Sequence, residues 1–229
     1  MTSTEFADDF NRADSGTVGE GWAETEPSGS TCAISSNTCV LTYVGASPTI
    51  EKTGSISDTT PTRLDYLIKG SDISTGIKEV GIYLKSGSSN VMLISILQNK
   101  LRYYDAGWQD VTGGGGLSDD TYYLISLRNI DYTADTFDIW LDDVQKMTGV
   151  PFETAVSSID TIHCRADGGA IVFTIDYISE GPFTTGTNTQ INIGDVWKEV
   201  PAMQINIGDT WKAVASAQIN IGDTWKSVF

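Results

Sequence analysis

Val80-Gly81-Ile82-Tyr83-Leu84-Lys85-Ser86-Gly87-Ser88-Ser89-Asn90-Val91-Met92-Leu93-Ile94-Ser95-Ile96-Leu97-Gln98-Asn99-Lys100-Leu101-Arg102-Tyr103-Tyr104-Asp105 is three apolar runs divided by two clusters of turn residues. Connections of this length join antiparallel neighbours and leave no room for a crossover helix. The pattern extends in both directions. Upstream, Arg63 to Lys69 sets Leu64, Tyr66 and Ile68 on one face of a strand. Downstream, Thr121 to Arg128 and Phe137 to Leu141 alternate, joined by the turn-rich segment Asn129 to Asp135, and Ile171 to Ser179 closes the series. Helical signals are nearly absent; Pro151 to Ser157 offers a turn or two. About ten to twelve short strands with regular turn signals predict an all-β, two-sheet antiparallel sandwich.

Hydrophobic residues make up 40% of the 229 and aromatics 10%, which is enough for a packed core. Thirty acidic against 14 basic side chains give a net charge of −16, which repels a phosphate backbone, so nucleic acid is not an expected partner. With one histidine, His163, neither a three-histidine metal centre nor a histidine relay can be built, and its place between Ile162 and Cys164 reads as structural. No run of about eighteen apolar residues occurs, so no membrane insertion is expected. Met1-Thr2-Ser3-Thr4-Glu5 has neither a basic nor an apolar leader region, and the chain is expected to fold in the cytoplasm. Cys32, Cys39 and Cys164 make no disulfide framework. Cys32 and Cys39 would face one another across a hairpin turning at Ser35-Ser36, whereas a turn one residue later sets them on a diagonal. Packed free thiols are the expectation.

The C-terminus repeats itself. Gln190-Ile-Asn-Ile-Gly-Asp-Val-Trp197-Lys-Glu-Val200 recurs from Gln204 and again from Gln218, a period of fourteen residues. In each unit two Ile share one strand face, Gly-Asp marks a turn, and a second short strand carries the Trp. A lone hairpin is marginal in water, so Ile193, Ile207, Ile221, Trp197, Trp211 and Trp225 are expected to pack together or against another chain, serving attachment or oligomerisation. The domain plan is therefore 1–183 as the sandwich, 184–189 as a Gly/Thr/Asn linker, and 190–229 as three hairpin repeats. Charge agrees with this division: residues 1–183 hold 26 acids and 11 bases, the remainder four and three.

In the first domain, the opening Asp8-Asp9-Phe10-Asn11-Arg12-Ala13-Asp14-Ser15 with Gly19-Glu20-Gly21-Trp22, the strands around Gly81 to Tyr83 and Val91 to Ile94, the segment Leu101 to Tyr104, Thr121 to Leu127 leading into Phe137 to Leu141, and the closing Ile175 to Ile178 resemble, in their order, the concanavalin A-like jelly roll. The resemblance implies a two-sheet jelly-roll sandwich of the kind that carries lectin and laminin G-like modules. The glucanase branch of that fold works with Glu-x-Asp-x-Glu or Glu-x-Asp-x-x-Glu on one strand, and no Glu here has Asp two residues later. The paired carboxyls that retaining hydrolysis needs are not supplied by this spacing, so a non-enzymatic protein is expected. The family's Asp-Gly turn after Leu141 is here Asp142-Asp143, which leaves that turn's geometry open.

Candidate sites follow. Tyr104, Asp105, Trp108 and Gln109 lie near a hairpin tip, where an aromatic face can stack on a pyranose and the polar groups can meet its hydroxyls. The alternative is that one residue of each aromatic pair faces the core. Gly113 to Gly116 reads as a loop and lacks the context of a phosphate cradle. Nine acids and one base, Arg128, lie between Asp105 and Asp143, read as a solvated acidic face. Asn129, Asp131 and Asp135 have alternating spacing but lack the rest of a calcium loop. No cofactor is required. A second calcium candidate comes through the resemblance: Asp9 and Asp176 would meet if the first and last strands pair, where the jelly roll implies a structural calcium. The repeats resemble the short Gly-Asp-x-Trp-Lys units at the ends of tailed-bacteriophage virion proteins. That resemblance implies a virion structural protein, a capsid decoration or tail adhesin made in the host cytoplasm, homo-oligomeric and with other virion proteins as partners. The lectin-like jelly roll adds a host-surface glycan as the expected ligand, and a trimer is preferred because avidity makes weak sugar binding useful. A carbohydrate-active enzyme or its accessory binding module is the alternative.

Overall fold

A computed structural model describes residues 6–54 and 60–181, and the backbone of six further strands between 189 and 227. The chain divides into two compact units, Met1–Pro182 and Phe183–Phe229. In the first, the strands in chain order are β1 (Ala7–Asp8), β2 (Ala23–Thr25), β3 (Thr31–Ser35), β4 (Thr38–Tyr43), β5 (Thr49–Thr53), β6 (Arg63–Gly70), β7 (Glu79–Ser86) and β8 (Ser89–Leu97). They continue with β9 (Lys100–Tyr104), β10 (Trp108–Gly115), β11 (Tyr123–Asp131), β12 (Thr136–Leu141), β13 (Val144–Pro151), β14 (Thr161–Asp167) and β15 (Ile171–Glu180). An eight-stranded sheet runs β13-β12-β11-β6-β15-β4-β3 with β1 beside β15, and a seven-stranded sheet runs β10-β9-β8-β7-β14-β5-β2. Every pairing is antiparallel, from β7 with β8 to β15 with β6.

The alternation that predicts these strands also fills the core. Leu64, Tyr66 and Ile68 of β6, Ile125 and Leu127 of β11 and Phe173 and Ile175 of β15 meet Ile82 and Leu84 of β7, Ile94 and Ile96 of β8 and Ile162 and Cys164 of β14 between the sheets, each at most 2% exposed. Side chains on the outer faces therefore belong to the alternate positions.

Tight turns hold the register. Ser36-Asn37, Gln98-Asn99 and Asp142-Asp143 each put two consecutive non-glycine residues at φ between 49° and 62°. Two residues at positive φ match the right-handed twist of a hairpin, and Asn and Asp tolerate that region better than most side chains. Asp142-Asp143 thus turns the chain without glycine. At the first of these hairpins Cys39 lies opposite Ile34 and Cys32 opposite Leu41, so the two cysteines are diagonal. All three thiols are free and buried.

Several expectations need correction. Fifteen strands stand in this unit, more than the ten to twelve read from sequence. Gly113 to Gly115 belong to strand β10, whose register slips between Asp110 and Gly115. The segment after Pro151 forms no helix, because the Phe152 amide donates to Asp135 O at 2.8 Å and the Glu153 amide to Val91 O at 2.8 Å, bonds to other elements in place of a helical ladder. The acids between Asp105 and Asp143 do not share one face. That segment supplies strands to both sheets, and Asp138, 6% exposed, accepts from Asn129, Gln145 and the Gly149 amide.

The second unit contains three antiparallel hairpins: β16 (Thr189–Ile193) with β17 (Val196–Val200), β18 (Gln204–Ile207) with β19 (Thr210–Ala213), and β20 (Gln218–Ile221) with β21 (Thr224–Ser227). The register repeats: Asn192 is opposite Trp197, Asn206 opposite Trp211, and Asn220 opposite Trp225. Ile193, Ile207 and Ile221 each close the first strand of a hairpin. The packing expected of these Ile and Trp side chains, and the linker at 184–188, lie outside the described residues.

Candidate functional site

The outer face of the seven-stranded sheet carries a ladder of side chains in one register. Glu51 of β5 lies opposite His163 of β14, His163 opposite Tyr83 of β7, and Tyr83 opposite Leu93 of β8. One residue past the Ile94–Tyr103 pair, Tyr104 of β9 continues the row, and Trp108 of β10 lies opposite Tyr104. Six strands at about 4.8 Å spacing make a row about 24 Å long.

Its two ends differ. Around Tyr83 the row is closed upon itself. Tyr83 is 6% exposed, stacks on His163 with ring centroids 5.7 Å apart and planes 8° from parallel, and carries the Arg165 guanidinium 4.9 Å from its centroid. Its hydroxyl donates to Glu79 Oε1 at 2.7 Å. Burial, the Glu79 carboxylate and the bond it receives push the Tyr83 hydroxyl pKa well up. Arg165 donates to both Glu79 oxygens at 3.3 Å and lies 3.3 Å from Asp167 Oδ2. His163 Nδ1 sits 3.0 Å from Glu51 Oε2 and 3.2 Å from Lys85 Nζ. Burial, helped by the Lys85 and Arg165 charges, lowers its pKa despite the Glu51 contact, so the imidazole is neutral near pH 7.

The other end is open. Tyr104 and Trp108 are half-buried and meet edge to face, centroids 5.5 Å apart and planes at 85°. Asp105 is exposed in the turn that joins them, where its amide donates to Gly107 O at 3.0 Å. Gln109 is exposed but lies opposite Tyr103, which packs against the core, so strand alternation places it on the other face from Trp108. Three of the four predicted residues thus gather at this end, and Gln109 does not. The other tryptophans of the sandwich are engaged. Trp22 is 6% exposed and donates to Asp8 Oδ2 at 2.8 Å, and Trp140 lies under the Arg128 guanidinium at 4.3 Å.

The first and last strands do pair, Asp8 opposite Ile178, and this brings Asp9 near Asp176. Burial first, and then the Asp9 charge, raise the Asp176 carboxyl pKa. Among the described residues no group of three or more His, Cys, Asp or Glu is placed to hold a metal ion, and two carboxylates fall short of the six to eight oxygens that calcium takes. Asn129 donates to Asp138, and Asp131 accepts from the Thr133 and Ala134 amides, so that loop's polar groups serve the turn. Two clefts, of about 370 Å³ beside Asp8, Asp9, Arg12 and Lys52 and about 300 Å³ beside Tyr43, Val44 and Ile171, lie away from the ladder. The open end is a T-shaped aromatic pair on an edge strand, a surface that offers ring area for stacking.

No family model and no curated protein matches this sequence. Solved structures match it. A sialidase aligns at TM-score 0.65 with 12% identity over 82% of this chain, which covers 19% of the sialidase. A Bacillus licheniformis β-glucanase aligns at 0.54 with 13% identity over 80% of this chain and 100% of its own, and the carbohydrate recognition domain of Emp47p at 0.52 with 12% identity over 78% and 95%. The fold is the concanavalin A-like jelly roll. At such identities the likeness carries the jelly roll alone and transfers no activity. Within this jelly roll, sequence reading found Tyr104 and Trp108 from a hairpin signal. It missed Tyr83, Leu93 and Glu51, which join the row only through strand register.

Proposed function

We propose that this protein is a non-enzymatic glycan-binding component of a tailed-bacteriophage particle, its jelly roll carrying the ligand face and its C-terminal hairpins holding it, as a trimer, to other virion proteins. The observation that carries the binding reading is the Tyr104–Trp108 pair, an uncapped aromatic edge set at the end of a rigid cross-strand row. Aromatic rings present large apolar area at low conformational cost, and the rigid sheet fixes their orientation before a sugar arrives. The non-enzymatic reading is supported by β7. Its outward residues are Glu79, Gly81, Tyr83 and Lys85, and the one carboxylate among them is already engaged by Tyr83 and Arg165. The assembly reading is supported by three hairpins of matching register, each too small to be stable without a partner surface, and oligomerisation makes weak sugar binding useful through avidity.

The test uses the full chain on a glycan array and in a host-adsorption assay. Trp108→Ala is expected to weaken glycan binding about tenfold, since losing one stacked ring removes about 1–1.5 kcal/mol. Equal binding by wild type and variant, with both folded, overturns the assignment of this face. Turnover of any polysaccharide overturns the non-enzymatic reading.

A further inference from the structure

Among the described residues, every cation on the ladder face is held by a carboxylate. Lys85 donates to Glu51 at 2.7 Å, Arg165 bridges Glu79 and Asp167 at 3.3 Å, Arg102 donates to Asp110 at 2.8 Å, and Lys100 pairs with the same Asp110. Four bases meet four acids. Lys100 and Arg102 are the cations nearest the open end, because Arg102 lies opposite Asp110, two residues from Trp108. The Asp110 carboxyl is held below its ordinary pKa, by the Lys100 bond first and the Arg102 charge next, so it stays ionised and keeps both partners. Beside them Asp105 stands exposed in the turn. The whole first domain carries 26 acids against 11 bases.

Resting on the glycan reading above, we infer that the ligand class is an uncharged glycan, and that the face excludes uronic, sialylated, sulfated and phosphorylated sugars. An anionic sugar reaching Trp108 must compete with Asp110 for Arg102 or Lys100, giving up one of that carboxylate's two ion pairs, or else bind without a counter-charge in the negative field of a domain with 26 acids against 11 bases. A neutral pyranose meets neither cost. It stacks on the aromatic edge and exchanges hydrogen bonds with groups whose ion pairs remain closed. Asp110 thereby acts as a selectivity residue: it keeps two nearby cations from recruiting acidic sugars.

The experiment places the full-length protein on an array of paired glycans sharing one backbone, neutral in one member and carboxylated or sulfated in the other, at 0.15 M salt. Wild type is expected to bind the neutral member at least tenfold tighter. Asp110→Asn releases Lys100 and Arg102 and is expected to shift the acidic-to-neutral ratio at least fivefold toward the acidic member. The side chain is exposed, and the variant's unfolding temperature checks its fold. A wild type that prefers the acidic member, or an Asp110→Asn ratio equal to wild type, overturns this inference and leaves glycan binding standing. Silence on both members overturns the glycan reading itself.

Discussion

Replacing Asp8 by Ala should loosen the whole N-terminal edge of the jelly roll. The Asp8 carboxylate is 9% exposed and accepts four bonds: from the Phe10 amide at 2.8 Å, from Arg12 Nη1 at 2.9 Å and Nη2 at 3.2 Å, and from Trp22 Nε1 at 2.8 Å. It therefore gathers β1, the following turn and a buried indole around one group, while β1 itself has two residues to pair with β15. Removing the carboxylate leaves a buried indole N–H without its acceptor and an Arg12 guanidinium, 24% exposed, without its counter-charge, though its Nε keeps the 3.0 Å bond to Val18 O. Breaking a fully buried pair costs about 3–5 kcal/mol, and the exposure of Arg12 moves the expectation to the lower end, about 3 kcal/mol. For a domain of this size that is a fall of about 6–12 °C in Tm. A second arm uses pH. Burial alone would raise the Asp8 pKa, but the bonds from Arg12, Trp22 and the Phe10 amide outweigh it and hold it below the ordinary value of about 3.9. A depressed carboxylate contributes stability that is complete above that value and is lost as pH falls through its folded pKa. The gap in Tm between wild type and Asp8→Asn, measured by near-ultraviolet circular dichroism, should hold from pH 7 to about 4 and narrow below it. A loss under 1 kcal/mol in Asp8→Ala, or a gap that does not change between pH 5 and 3, refutes the assignment of Asp8 as the clamp.

Two further outcomes are expected. Ending the chain at residue 183 should leave a folded jelly roll, since that unit has its own core, and should abolish assembly. Light scattering that finds the truncated and full-length proteins in the same oligomeric state counts against the role given to the hairpins. The lone His163 should titrate below the ordinary histidine value of about 6.5, because burial disfavours its charged form. The unfolded chain then takes up a proton that the folded one refuses, so stability falls as pH drops through 6.5 until the folded form protonates too. An NMR midpoint at or above 6.5 contradicts this.

The central strands were legible: β6 carries an alternation imposed by the core, and β7 and β8, buried on both faces along most of their length, read as apolar runs between turn residues. The edge strands were not. In β13 one residue of eight is buried, and β10 contains Gly113 to Gly115, so neither carries an alternation to read. The same physics divides the site. Tyr104 and Trp108 are four residues apart across one turn, and local signals reveal that. Glu51 and His163 are separated by 112 positions and meet only because β14 inserts between β5 and β7, an outcome of sheet order that no local pattern encodes.

The slipped register of β10 has an evolutionary consequence. Trp108 and Asp110 sit on a strand that pairs on one side only, with β9, and whose pairing is interrupted beyond Asp110. Changes there disturb no strand further out, whereas a change at Tyr83 must be absorbed by neighbours on both sides. The conserved chemistry of such a platform is therefore expected at its centre and its diversification at its rim, so that ligand preference can drift by substitution along β10 while the sandwich that supports it stays intact.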